Sequence, residues 1–144
     1  MITDDATIRE ILATARTIAV VGASANPARP SYGVMRFLQR HGHRIVPVNP
    51  GLAGKTLMGE TVHARLSDIP FAVDMVDIFR RPDAVDAVVD AALALQPRPA
   101  IIWMQLGVIA PEAAARAEAA GLQVVMDRCP AIETRRLGLG VAQP

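Results

Sequence analysis

Short β-branched runs alternate with amphipathic helical segments along this chain, and a glycine or proline marks most of the changes from one to the other. The runs Thr17 to Val21, Arg44 to Val48, Val73 to Phe79, Ala100 to Met104 and Leu122 to Met126 read as strands. Ahead of the first strand, Ile8, Ile11, Leu12 and Ala15 share one face of a helix capped by Thr3. A second helix starts at Ser31, turns Val34, Phe37 and Leu38 inward and stops at Gly42. Pro82 opens a third, with Val85, Val88, Val89 and Ala92 inward, which Pro97 and Pro99 close, and a fourth runs from Pro111 to Gly121. Beyond Cys129 the signals weaken to one helical turn near Ile132.

Strands joined by helical crossovers lie parallel, and the crossovers are right-handed, so the helices cover both faces of the sheet. The expectation is one α/β domain over residues 1–144, a Rossmann-like doubly wound parallel sheet of about five strands with helices on both faces. The expected strand order is third, second, first, fourth, fifth. That order opens a ligand crevice beyond the carboxyl ends of the first and fourth strands.

Hydrophobic residues make up 51% of the chain and aromatics only 3%, so the interior has to be built from Ala, Val, Ile and Leu, which suits a sheet buried on both faces. A balance of 15 Lys and Arg against 14 Asp and Glu leaves a net charge of +1, without the basic excess that would favour a nucleic-acid partner. The longest apolar stretch, Ala100 to Ala110, is too short to span a bilayer, and Asp4 and Asp5 stand where a secretion signal would be positive. A cytoplasmic protein without a membrane partner is expected. A single cysteine excludes an internal disulfide, and His41, His43 and His63, expected to be exposed, have no thiolate or carboxylate neighbours with which to hold a metal.

The segment Val20-Val21-Gly22-Ala23-Ser24-Ala25-Asn26-Pro27 leaves the first strand for a helix, the position at which backbone N–H groups and the helix dipole hold phosphate. Ser24 stands where the glycine fingerprint has its second glycine, so the loop alone does not separate a nucleotide cradle from a tight turn. After the second strand the chain reads Val48-Asn49-Pro50-Gly51, without the acid that holds a dinucleotide's ribose. Asn49 can serve a base or sugar without repelling phosphate, or simply build a turn. Arg29, Arg80 and Lys55 offer cations to phosphate from loops after strands, although each by itself is an ordinary surface charge. Trp103 reads as core, and Gln105 just beyond it is placed to meet a ligand amide. Asp74 and Asp77, at odd spacing, point to opposite faces of their strand and do not form an acid–base pair.

Taken in order, Val21-Gly22-Ala23-Ser24, Arg29-Pro30-Ser31-Tyr32-Gly33-Val34, Pro47-Val48-Asn49-Pro50, Val76-Asp77-Ile78-Phe79-Arg80-Arg81-Pro82, Trp103-Met104-Gln105-Leu106-Gly107-Val108 and Asp127-Arg128-Cys129-Pro130 cover nearly the whole chain. With these segments the sequence resembles the small bacterial and archaeal CoA-binding proteins, relatives of the CoA-binding domain of the succinyl-CoA synthetase α subunit. The resemblance implies coenzyme A as cofactor. It implies Gly22, Ala23 and Ser24 against the pyrophosphate, Asn49 and Pro50 beside the adenosine, and Phe79 and Arg80 at the pocket edge. Arg29, Ser31 and Tyr32 would complete the phosphate end, and Gly51 to Lys55 would match a phosphate-side loop of the synthetase. Gln105-Leu106-Gly107 stands where the synthetase has an acidic loop, and its phosphohistidine domain has no counterpart here, so the ligase reaction is not expected.

The expected function is non-catalytic binding of CoA or an acyl-CoA at the carboxyl edge of the sheet, as carrier, sensor or partner of a separate enzyme. An NAD(P)-dependent reductase, or an acyl-transfer enzyme with Cys129 as nucleophile, is the alternative; it lacks the ribose acid and a recognisable histidine partner. A regulatory Rossmann module is a third reading, without a DNA-binding motif to support it. Cys129 is expected on the same edge, either packed and inert or within reach of the pantetheine arm, where exchange with CoA disulfide would yield a mixed disulfide.

Overall fold

The computed structural model describes residues 1–141. Helix α1 (Asp5–Thr14) leads into β1 (Thr17–Val21), α2 (Pro30–Arg40) and β2 (Arg44–Val48). A stretch without α-helix follows and carries a hairpin of β3 (Thr56–Leu57) and β4 (Glu60–Thr61). The chain then runs through β5 (Met75–Ile78), α3 (Val85–Leu93), β6 (Ile101–Met104), α4 (Pro111–Ala119), β7 (Gln123–Val125) and α5 (Pro130–Arg136).

The five-stranded sheet is parallel throughout, as expected, but its order is β2-β1-β5-β6-β7. The third strand therefore lies beside the first rather than outside the second. Two contacts between residues distant in sequence hold this arrangement. The outer edge of β2 is already occupied by His63, whose amide donates to the Pro47 carbonyl at 3.0 Å and whose carbonyl accepts from Asn49 at 2.9 Å. At the start of β5, the Asp74 carboxylate accepts the amides of Arg16 and Thr17 at 3.0 and 2.9 Å, which fastens that strand to the base of β1. The winding direction consequently reverses between β1 and β5, and the crevice opens there instead of between the first and fourth strands.

Alternation along each strand supplies two cores. Ile18, Val20, Met75, Ile101, Trp103 and Val125 face α1, α2 and α5, whereas Ala19, Val76, Ile78, Ile102, Met104 and Val124 face α3 and α4. The inward alanines Ala113, Ala114 and Ala117 let α4 lie close to the sheet.

Several local expectations change. Asp4, not Thr3, caps α1: its carboxylate accepts the Thr7 amide at 2.9 Å and the Thr7 hydroxyl at 2.7 Å, which together hold its pKa below the ordinary aspartate value. Pro30, with no N–H to satisfy, takes the first position of α2, so Arg29 becomes its cap residue and Ser31 is buried in the first turn. His43 is buried rather than exposed, with Nδ1 2.6 Å from the Ala15 carbonyl; burial lowers its pKa and this bond opposes the shift only in part. The single turn expected near Ile132 is a full helix, α5.

Candidate functional site

The carboxyl ends of the strands open on a cavity of about 1010 Å³. Its floor follows the sheet, with Gly22 after β1, Phe79 after β5, Gln105 after β6 and Cys129 after β7. The first turn of α2 forms one wall through Pro30, Ser31, Gly33 and Val34, and α5 forms another through Ala131, Ile132 and Arg135. A second cavity of about 350 Å³ lies on the α3 side, lined by Val48, Pro50, Leu66, Ala84, Ala87 and Val88 together with Arg65. The two share Gly22, Asn49 and Arg80 in their walls.

Charge is distributed unevenly. Arg29, Arg80, Arg81 and Arg135 line the larger cavity and Arg65 and Arg80 the smaller, and no Asp or Glu lines either. A chain of nearly zero net charge thus concentrates guanidinium groups at one edge, beside the N-terminus of α2, whose cap residue makes no side-chain bond to the free amides.

The loops are braced by hydrogen bonds within the protein. Gly22 has φ +92°, and its N–H donates to the Val48 carbonyl at 3.1 Å. A Cβ there would stand 2.2 Å from the Phe79 carbonyl oxygen, so the glycine is demanded by the neighbouring strand itself. Asn49 spans two loops, its Nδ2 donating to the Ala23 carbonyl at 2.7 Å and its Oδ1 accepting from the Gly51 amide at 2.8 Å. Its amide is therefore engaged in holding the β1 and β2 loops in register. Ser24 Oγ accepts from the Asn26 amide at 3.0 Å, and its own O–H remains a donor. On the far side, Asp127 accepts the Gly107 amide at 2.8 Å, and Trp103 Nε1 donates to the Arg128 carbonyl at 2.8 Å, so the loops after β6 and β7 are tied to each other and to the core. Glu133 clamps α5 in place, 2.6 Å from Arg128 and 3.0 Å from Arg136, while Arg136 also meets Asp5 of α1 at 2.7 Å. Burial works to raise the pKa of Glu133, but the paired arginines outweigh it and the pKa is lowered.

Among the described residues three buried side-chain polar atoms lack partners. Gln105, only 6% exposed, has an unpaired Oε1. Asp77, fully buried between Val20 and Trp103, has neither carboxyl oxygen satisfied, and burial pushes its pKa well above the ordinary value. Two residues further along those strands, Gly22, Phe79 and Gln105 form the cavity floor, so Asp77 sits about 7 Å beneath it.

Of the residues singled out from the sequence, Gly22, Ala23, Ser24, Arg29, Ser31, Asn49, Phe79, Arg80, Gln105 and Cys129 meet around the larger cavity, and Pro50 lines the smaller. Tyr32 and Lys55 line neither: Tyr32 follows Ser31 on a different side of α2, and Lys55 is exposed in the turn before β3. Phe37, Arg65, Arg81, Ile132 and Arg135 were not singled out as site residues. An arginine on a short helix or in a remote loop carries no local signal of where it will point, although Arg81 falls within the quoted Phe79-Arg80-Arg81 segment. Among the described residues no group of His, Cys, Asp and Glu could hold a metal ion, and no helix is long and apolar enough to cross a membrane.

A doubly wound parallel sheet whose reversal point opens on a cationic, carboxylate-free cleft defines a class of proteins that hold phosphorylated cofactors at the strand ends. Residues 16–135 match the model of the CoA binding domain, and this chain belongs to that family. The uncharacterized protein YneT of Bacillus subtilis (strain 168) is 34% identical over 124 residues, covering 86% of this chain and 89% of that protein. A solved structure from Thermus thermophilus superposes with a TM-score of 0.88 at 41% identity, covering 94% of this chain and 99% of that one. The dinucleotide-forming acetyl-coenzyme A synthetase 1 of Ca. Korarchaeum cryptofilum is similar over 82% of this chain and 27% of its own, with a TM-score of 0.66 and 26% identity.

Proposed function

We propose that this protein binds coenzyme A or an acyl-CoA as a non-catalytic carrier, sensor or partner module. The observation that carries the reading is the pair of cavities meeting at Gly22, Asn49 and Arg80, lined by arginines and free of carboxylates. CoA is a bent molecule with a flat purine at one end, a long pantetheine arm at the other and a pyrophosphate between them. The smaller apolar cavity suits the purine, with Arg65 near it for the 3′-phosphate, and the pyrophosphate crosses at the Gly22–Ser24 loop between Arg29 and Arg80. The arm then lies in the larger cavity, where the Gln105 amide can pair with one of its own amides. Membership of the CoA-binding domain family supports the same ligand.

A non-catalytic role is supported by the cavity walls, which contain no His, Asp or Glu to serve as general acid or base beside Cys129 or a thioester. Calorimetry with CoA, dephospho-CoA and NAD tests the ligand assignment. CoA should bind most tightly, dephospho-CoA more weakly because Arg65 loses the 3′-phosphate, and NAD most weakly because no carboxylate meets its ribose. Equal affinity for all three would overturn the assignment, and turnover of an acyl-CoA by the purified protein would overturn the non-catalytic role.

A further inference from the structure

The two ends of the larger cavity differ in chemistry. Gly22 and Ser24 stand at the β1 end, and Cys129 at the β7 end, with β5 and β6 between them. Three strand spacings separate these ends, about 14 Å, a distance that an extended pantetheine arm spans. A ligand held by its pyrophosphate at the β1 loop would therefore carry its terminal sulfur toward Cys129.

A buried cysteine is most often a packing residue. Here a second feature points to an occupant beside it. Gln105, which follows β6 between Phe79 and Cys129, lines the same cavity, is 6% exposed, and its Oε1 has no hydrogen-bond partner. A buried amide oxygen left unpaired costs about 1–3 kcal/mol unless a donor satisfies it. An amide N–H of a pantetheine arm supplies the missing donor at that place, one strand spacing short of the thiol.

We propose that Cys129 is a thiol–disulfide exchange site for the disulfide form of the ligand, so that the protein stores CoA covalently when the CoA pool is oxidised. The inference rests on the coenzyme A reading above. In the step, the Cys129 thiol loses its proton and Sγ attacks the proximal sulfur of CoA disulfide. The S–S bond of the CoA dimer breaks, a new S–S bond joins Sγ to the bound CoA, and the second CoA leaves as a thiolate that takes up a proton. No other oxidant is needed, and a reduced thiol reverses the step.

Incubation with CoA disulfide, followed by intact-mass measurement, should show one CoA added to the wild-type protein, removable by dithiothreitol. The adduct should form at least about tenfold faster than the glutathione adduct from oxidised glutathione, because binding holds the disulfide against Sγ. Cys129→Ser should give none while melting normally, since serine is a favoured residue at the cap position that Cys129 occupies ahead of α5. Gln105→Leu, of similar size but without the amide, should slow adduct formation toward the glutathione rate. If calorimetry shows CoA binding but no adduct forms, or it forms no faster than with oxidised glutathione, Cys129 is a packing residue and the exchange proposal is wrong. An unchanged rate in Gln105→Leu would likewise remove the second support. If CoA itself does not bind, the coenzyme A reading fails first and the exchange proposal with it.

Discussion

Replacing Gly22 with alanine should damage the fold before it affects any ligand. Gly22 sits at φ +92°, where an L-residue costs about 1–2 kcal/mol. The added Cβ would also lie 2.2 Å from the Phe79 carbonyl oxygen and 2.9 Å from its carbon. Both are backbone atoms of the residue that follows β5, so no side-chain rotation relieves the clash, and the chain must separate at the carboxyl ends of β1 and β5. Overpacking of this kind adds about 1–3 kcal/mol. The sum, about 2–5 kcal/mol, corresponds to a fall in Tm of roughly 5–15 °C for a chain of this size. Thermal melting by circular dichroism reads it directly, with Gly33→Ala as control. Gly33 also lines the cavity, but a Cβ there meets nothing within 4 Å, and in a helix alanine should melt at the same temperature or slightly higher. A Gly22→Ala protein that melts like the wild type would refute the reasoning. If such a protein had also lost CoA, the glycine would serve the ligand and not the sheet.

Asp77→Asn should stabilise the protein increasingly as pH rises. The folded state raises the pKa of Asp77 by burial, so the wild type loses about 1.4 kcal/mol per pH unit between the ordinary aspartate value and the raised one, and the asparagine does not. Melting curves from pH 4 to 8 that stay parallel for the two proteins would contradict this. Glu133→Gln should destabilise at neutral pH by about 1–2 kcal/mol, a figure kept small because the partner arginines are 30–41% exposed. Its folded pKa is lowered, so the wild-type advantage is full above the ordinary glutamate value and vanishes as pH falls through the lowered one; acid melts that fail to converge would count against it. Ser24→Asp should weaken CoA at least about tenfold in calorimetry by placing a carboxylate against the pyrophosphate, with melting nearly unchanged. Retained affinity together with a shifted melt would mean that the loop is structural and the phosphates lie elsewhere.

Local pattern was enough to determine the five strands of the sheet, helices α1 to α4 and that the sheet is parallel, though not the β3–β4 hairpin or the full length of α5. Period-2 and period-3.6 spacing, β-branched runs and Gly or Pro punctuation are properties of neighbouring residues, and β2 falls on Arg44–Val48 as expected. Position in the chain also placed the loops at the strand ends, which is why Gly22, Ser24, Gln105 and Cys129 were legible as neighbours before their distances were known. Strand order was not local. It depends on His63 occupying the outer edge of β2 and on Asp74 reaching the amides of Arg16 and Thr17, contacts between residues far apart in sequence. Helix α5 reads from the sequence only as a turn because part of what holds it is tertiary: Arg136 pairs with Asp5 of α1 at 2.7 Å, a contact that exists only once α1 is packed beside it. For the same reason Arg135, Arg65 and the burial of Asp77 and His43 were decided by tertiary structure alone. A side chain's reach, its partners and its exclusion from water are set by what packs around it, and no run of adjacent residues specifies that.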